Sequence, residues 1–348
     1  MLKPSLYGFT LPQLEEYVRQ EGQPTYRAKQ IFHWLYQQRV QDVEEMTDLP
    51  KNLRSTLAQT TLLCSMKELV SQKSQDGTIK FLLELHDGAT IETVIMRHDY
   101  GNSVCVSTQV GCKMGCKFCA STLGGLVRNL TAGEIVEQVV LCQRLLDRTH
   151  ERVSSVVLMG SGEPLDNYDA SIGFVDIVTD PEGLKIGQRH ITISTVGLVP
   201  AIYRLADEMR GITLAVSIHA ADDETRSKMM PVNKAYDILT LLDACRYYYE
   251  KTGRRITFEY ALINGHNDKI QDAQKLAKLL QSLPCHVNLI PVNYVPERDL
   301  TRTPQDQIRA FANELERLSI NATVRREMGS DIAAACGQLR AQQARERI

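Results

Sequence analysis

The sequence predicts an α/β protein whose main body is a partial (β/α)6 barrel, preceded by a small helical domain and a β-hairpin extension. Three observations predict it. From Ser103 onward, short apolar runs alternate with amphipathic stretches. Strands are expected at 103–107, 153–159, 190–194, 213–217, 255–260 and 286–291, with helices near 131–147, 168–178, 200–209, 235–251 and 268–282. Such alternation produces parallel strands with outer helices, and six units are too few for a closed eight-stranded barrel. Upstream, 78–86 and 89–97 alternate apolar and polar residues around Asp87-Gly88, a tight hairpin signature. Finally, 348 residues, 43% hydrophobic and 24% charged, suit one large catalytic domain with smaller additions.

Residues 1–60 read as a helical accessory domain. Leu11 to Glu21 is amphipathic, Pro24 opens a second helix with Ile31, Phe32, Trp34 and Leu35 on its apolar side, and Asn52 to Leu57 forms a short third helix after Asp48-Leu49-Pro50. Acidic and basic residues balance there, so the segment reads as a structural cap as readily as an RNA-binding unit. Residues 61–100 form the hairpin extension, with Phe81, Leu83 and Leu85 on one face and Glu92 in the second strand. A glutamate in a strand ordinarily faces solvent. The barrel spans 101–300; its helix at 131 opens with the capping box Thr131-Ala132-Gly133-Glu134. The C-terminal segment 301–348 carries a helix near 304–318, a strand at 321–326, and the small-residue stretch Gly329 to Leu339 around Cys336.

Net charge is −2, so no global basic excess advertises a nucleic-acid partner, and any RNA surface must be local. With no signal peptide and no apolar run near eighteen residues, a soluble, cytoplasmic protein without membrane contact is expected. Nine cysteines in such a chain argue against a disulfide framework. Cys142, Cys245 and Cys285 fall in apolar periodic segments and read as core; Cys64 reads as structural. Cys112, Cys116 and Cys119 stand in a C-x3-C-x2-C pattern directly after the first barrel strand. Thiolates are the usual ligands of iron–sulfur clusters, and three of them on a four-iron cluster leave one iron open. The competing reading, structural zinc, wants a closed set of four ligands, and no second C-x2-C or H-x3-H exists to complete it.

Polar motifs recur at later strand ends: Met159-Gly160-Ser161-Gly162-Glu163-Pro164, Ser194-Thr195-Val196-Gly197, Ser217-Ile218-His219-Ala220 and Pro291-Val292-Asn293. Barrels place catalytic groups at the C-terminal ends of strands. The glycines permit close backbone approach to a ligand, and Glu163 can hold an ammonium group.

The spacing around Phe118 resembles the radical S-adenosylmethionine (SAM) superfamily. Ile91-Glu92-Thr93-Val94, Cys105 to Cys112, Cys119-Ala120-Ser121-Thr122-Leu123-Gly124-Gly125, Gly162-Glu163-Pro164, Ser217-Ile218-His219-Ala220, Asn288 to Asn293 and Ala334-Ala335-Cys336-Gly337-Gln338-Leu339 are similar, over nearly the whole chain, to the RlmN/Cfr family of radical SAM RNA methyltransferases. The resemblance is closest to the branch that methylates C2 of adenine in 23S ribosomal RNA and in transfer RNA beside the anticodon. It implies a barrel of the radical SAM type and a [4Fe-4S] cluster on Cys112, Cys116 and Cys119. It also implies SAM contacts from Gly162, Glu163, Ser194, Ser217, Ile218, His219 and Asn293. Cys336 would be a methyl carrier and Cys105 its partner in a transient disulfide. Glu92 is the proton acceptor in the family's usual assignment, although the sequence itself does not choose between Glu92 and Cys105. Two SAM per turnover, an external flavodoxin- or ferredoxin-like electron donor and a monomeric state complete the expectation. Ser161 stands where a larger apolar residue is common, and Val196 where Ser is common.

Adenine C2 is electron-poor and holds no easily lost proton, so it does not attack the methyl of SAM; a carbon radical can add to it. Within the family the alternative is methylation at C8. From another class, the alternative is a non-catalytic metal-binding RNA-binding protein, which has no need for Cys105 or Cys336. Arg27, Lys29, Arg325 and Arg326 are candidate phosphate contacts.

Overall fold

Residues 3–339 are described by the computed structural model. Residues 340–348, which close the C-terminal segment and contain three of its arginines, lie outside the described residues.

One mixed sheet of ten strands organises the molecule. Its order is β1 (Met66–Lys73), β2 (Ile79–Leu85), β3 (Thr90–His98), β4 (Gly101–Cys105), β7 (Val153–Leu158), β8 (Ile191–Thr195), β9 (Thr213–Ser217), β10 (Ile256–Leu262), β11 (Cys285–Pro291) and β12 (Ala322–Val324); β5 (Gln109–Gly111) and β6 (Leu126–Asn129) form a separate ribbon. β1 to β4 are antiparallel to one another, and every pairing from β4 to β12 is parallel. The two edges, β1 and β12, do not pair, so the sheet stays open. The six expected barrel strands are all present, and β12 extends them.

The helices follow the same logic. α1 (Leu11–Gln20), α2 (Tyr26–His33) and α3 (Lys51–Thr60) make the N-terminal unit. It is bonded to the barrel through Arg39 Nε to Asp147 Oδ2 at 2.6 Å and Arg144 Nε to the Arg39 carbonyl at 2.8 Å. α4 (Ala132–Asp147) begins at the expected capping box: the Glu134 N–H donates to Thr131 Oγ1, and the Thr131 N–H donates to the Glu134 carboxylate. α5 (Tyr168–Thr179), α6 (Val199–Asp207), α7 (Asp223–Met229), α8 (Ile238–Thr252), α9 (Ile270–Leu280) and α10 (Gln305–Arg317) complete the outer layer. Val156, Ile193, Leu214, Val216, Phe258 and Leu289 are fully buried in the strands, which is how parallel strands covered by helices read.

Two elements depart from the sequence reading. β1 carries Lys67, Glu68, Ser71, Gln72 and Lys73 on an exposed edge, and a bulge between Glu68 and Val70 breaks its alternation. α7 is seven residues long and largely charged, and its start is fixed by Asp222 accepting from the Thr225 N–H. The hairpin also joins the barrel sheet through the pairing of Val94 with Cys105. β2 is buried beyond the expected Phe81, Leu83 and Leu85: Lys80 and Leu82, on its other face, are buried too.

Candidate active site

β4 ends at Cys105, and the chain passes through β5 into the cysteine loop. Gly111 has φ +75° and a side chain there would meet the Gly125 carbonyl at 2.0 Å, so only glycine fits. The Cys112 N–H donates to that same carbonyl at 2.9 Å, and the Lys117 N–H to Met229 at 2.9 Å. The loop therefore holds its shape through the backbone. Cys112, Cys116 and Cys119 line one open cavity and are unbridged. Burial raises all three thiols, Cys112 to about 12, while backbone N–H groups of Met114 and Ser121 facing Cys112 and Cys119 favour their thiolates.

The donor set fits a cluster better than a single ion. Three thiols line this space with no fourth His or Cys in the same loop, whereas structural zinc takes a closed set of four ligands. N–H groups directed at cysteine sulfurs are a feature of iron–sulfur sites.

Gly162, Glu163, Ser194, Ser217, His219, Asn293 and Cys336 line the same cavity. Ile218 does not: its side chain is fully buried in the core, and its N–H and carbonyl are taken by Glu259 and Arg226. Gly162 has φ +109°, and a side chain would strike Gln109 at 2.6 Å. The glycine is thus required by the packing of its own loop as well as by any ligand. Glu163 accepts from the N–H groups of Val196 at 2.8 Å and Leu165 at 3.1 Å, and burial lifts its carboxyl to about 7. A cationic ammonium would pair with it as the carboxylate. His219 Nδ1 accepts from the Ala261 N–H at 2.9 Å and burial holds the ring down at about 3, so it is a neutral imidazole standing edge-on to Phe118. Asn293 Nδ2 donates to the Cys336 carbonyl at 2.9 Å; its Oδ1 is buried without a protein partner among the described residues, an acceptor for a ligand donor.

A fully buried arginine missed in the sequence ties these loops together. Arg226 on α7 donates to the carbonyls of Ile218, Val196, Ser217 and Tyr236 and to Asn233 Oδ1, and burial lowers it to about 10. It binds the ends of two neighbouring strands from outside the cavity.

Cys336 sits in a turn fastened from several directions. Ala120 N–H donates to the Gly337 carbonyl at 2.7 Å, Ser121 Oγ to Leu339 at 3.0 Å, and Gln338 Nε2 to the Tyr294 carbonyl at 2.9 Å. From the hairpin, Lys80 Nζ reaches the Ala333 carbonyl at 3.2 Å, and Asp76 Oδ2 accepts from the Gly329 N–H at 2.9 Å. Cys105 and Cys336 line a second, adjoining cavity with Met96, Met328, Arg302, Arg325 and Arg326. Burial pushes the Cys105 thiol up to about 12, and nearby Arg325 opposes that rise. Glu92 lines neither cavity. It is buried and paired with Lys80 at 3.1 Å, so it does not face solvent as a strand glutamate ordinarily does.

Comparison with known proteins decides the family. A family model for the ribosomal RNA large subunit methyltransferase N-terminal domain matches residues 5–63, and one for the radical SAM superfamily matches 106–280, half of the chain. The chain is 60% identical to the probable dual-specificity RNA methyltransferase RlmN of Geobacillus kaustophilus over 343 residues, 99% of this chain and 94% of that one. The chain belongs to the RlmN family. It is also 57% identical to the corresponding protein of Bacillus subtilis, over 98% of this chain and 94% of that one. A crystal structure of a radical SAM methyltransferase from Sphaerobacter thermophilus superposes with TM-score 0.95 at 48% identity, covering 97% of this chain and 99% of that one. This RlmN-family chain is therefore a radical SAM RNA methyltransferase with the radical SAM α/β fold, and membership implies a [4Fe-4S] cluster and SAM. No helix among its described residues is long and apolar enough to cross a membrane.

Proposed function

We propose that the enzyme methylates C2 of an adenosine in the peptidyl transferase centre of 23S ribosomal RNA and of an anticodon-adjacent adenosine in transfer RNA, consuming two SAM per turnover. The observation that carries this reading is that Cys336 borders both cavities, meeting the three-cysteine loop in one and Cys105 in the other. Cys112, Cys116 and Cys119 hold the cluster, and Glu163 and Asn293 offer acceptors to the amino groups of SAM. The bound cofactors supply a methyl group for sulfur and a carbon radical able to abstract hydrogen.

In this scheme the Cys336 thiolate first accepts a methyl group by displacement. The S-methyl group then gives up one hydrogen atom, and its carbon adds to adenine C2. One electron would leave the adduct for the one-electron acceptor that the cluster held by Cys112, Cys116 and Cys119 would supply, and the C2 proton leaves to a protein base. The Cys105 thiolate attacks the Cys336 sulfur; an S–S bond forms, the C–S bond breaks, and the electron pair remains on the carbon, which takes a proton to become methyl. An external reductant reopens the disulfide. Glu92, paired with Lys80 behind the cavity lining, is one acceptor for the C2 proton, and the Cys105 thiolate, which borders Cys336, is the other.

The test is anaerobic reconstitution followed by incubation with SAM, reductant and ribosomal or transfer RNA, with nucleosides analysed by mass spectrometry. 2-Methyladenosine is the expected product. 8-Methyladenosine would move the enzyme to the other branch, and no methyladenosine would overturn the reading.

A further inference from the structure

We propose that the β3–β4 turn is a stacking platform for an unpaired RNA nucleotide in the same single-stranded segment as the target base, a few nucleotides from it; this rests on the RNA methyltransferase reading above. Tyr100 is 78% exposed at the apex of a two-residue hairpin loop, and its ring lies on His98 with centroids 4.7 Å apart and planes 6° from parallel. A large aromatic side chain at a tight turn forgoes the burial that normally stabilises it. The turn is nonetheless fixed. Gly101 follows with φ +129°, and a side chain there would collide with Ser154 Oγ at 2.3 Å, so the hairpin end lies directly on β7.

The platform lies at the far end of β4 from Cys105, four register pairs or about 13 Å along the strand. Val94 pairs with Cys105, and alternation along β3 puts Val94, Met96 and His98 on one face. Val94, Met96 and Cys105 pack there against Met328, Ala334 and Leu339, and Met96 borders the cavity shared by Cys105 and Cys336. His98 is the next residue outward on that face. Burial first, and then the charges of Arg325 and Arg326, which line that cavity, hold the His98 pKa below its usual range. Arg326 is exposed and forms no ion pair among the described residues, which leaves it available to a phosphate. Asp99 is the opposing charge of the turn.

The chemistry of the partner follows. Adenine must leave its stack before its C2 can meet Cys336, and that exposes base faces in the same single-stranded segment. A neutral, paired aromatic surface takes such a face without regard to base identity, and an arginine beside it takes the phosphate.

The experiment measures binding of the full enzyme to a fluorescein-labelled hairpin RNA with a single-stranded adenine-containing loop, and to a fully paired duplex, at fixed salt. Tyr100→Ala is expected to weaken loop binding about tenfold while leaving duplex binding unchanged, and Tyr100→Phe to retain wild-type affinity. Arg326→Ala should weaken both and lower the slope of log affinity against log salt by about one. Loop affinity unchanged in Tyr100→Ala, or lost equally in Tyr100→Phe, overturns the platform while leaving the methyltransferase reading intact. A wild-type enzyme that binds neither RNA overturns that reading, and the platform with it.

Discussion

The cysteine loop and the Cys336 turn line one cavity and touch through the Ala120 N–H, but they differ in how far along the chain their fastenings come from. The loop at 111–125 is held by its own backbone, with Gly111 pressed on Gly125 and Cys112 bonded to the same carbonyl. Arg226 braces the neighbouring strand ends from behind. The turn at 329–339 has short bonds of its own, with the Ala334 N–H on the Gly329 carbonyl and the Gln338 N–H on the Ala335 carbonyl, and is also gripped from distant elements by Lys80, Asp76, Ser121 and Asn293. A site for a resident cofactor has to keep its shape, and local closure achieves that. A carrier residue has to be presented, and a turn gripped from several elements can be presented at one place without being rigid itself.

Removing the chemistry from the turn gives the largest effect. Cys336→Ala should abolish methyladenosine formation while SAM cleavage to 5′-deoxyadenosine continues, measured side by side by mass spectrometry. If cleavage also vanished, the two regions would not be separable. Cys105→Ala should arrest the enzyme within its first turnover as a protein–RNA conjugate, visible as a slower band on denaturing gels.

Two braces should dissociate the regions in stability. Lys80→Met breaks the buried ion pair with Glu92, which costs about 3–5 kcal/mol, and removes the donor to the Ala333 carbonyl. We expect faster proteolysis within 329–339 with the visible absorbance of the reconstituted cluster retained. Arg226→Met strands several buried carbonyls at roughly 1–3 kcal/mol each and should lower the melting temperature and impair cluster incorporation, with the turn protected as in wild type.

The smallest effect is a slope. The Glu163 carboxyl is raised to about 7 by burial, above its value of 4.5 when unfolded. The folded protein therefore binds the extra proton between those values. Its contribution is complete below pH 4.5 and is lost as pH rises to 7, by up to about 1.4 kcal/mol per pH unit. Glu163→Gln should flatten the decline of cofactor-free stability over that window, measured by urea unfolding.

The same contrast explains what the sequence made legible. Cys112, Cys116 and Cys119, Glu163 and Asn293 stand in short motifs at strand ends, and strand positions follow from apolar runs such as Leu214 to Val216, so the parallel part of the fold is readable locally. Lys80 reads as an ordinary strand lysine; only its meeting with Ala333, far along the chain, gives it a role. Arg226 lies in a short charged helix that reads as surface, and its burial depends on carbonyls from other strand ends. β1, exposed on both faces and bulged, carries no period to detect.

The sheet is open, and its seam is stitched by the turn. Asp76 and Lys80 grip it from the β1–β2 side, while Asn293 and Tyr294 grip it from beyond β11. The stitch and the reactive sulfur are the same few residues. Any breathing of the molecule that widens this seam must carry Cys336 along, so mechanical opening and movement of the carrier share one coordinate.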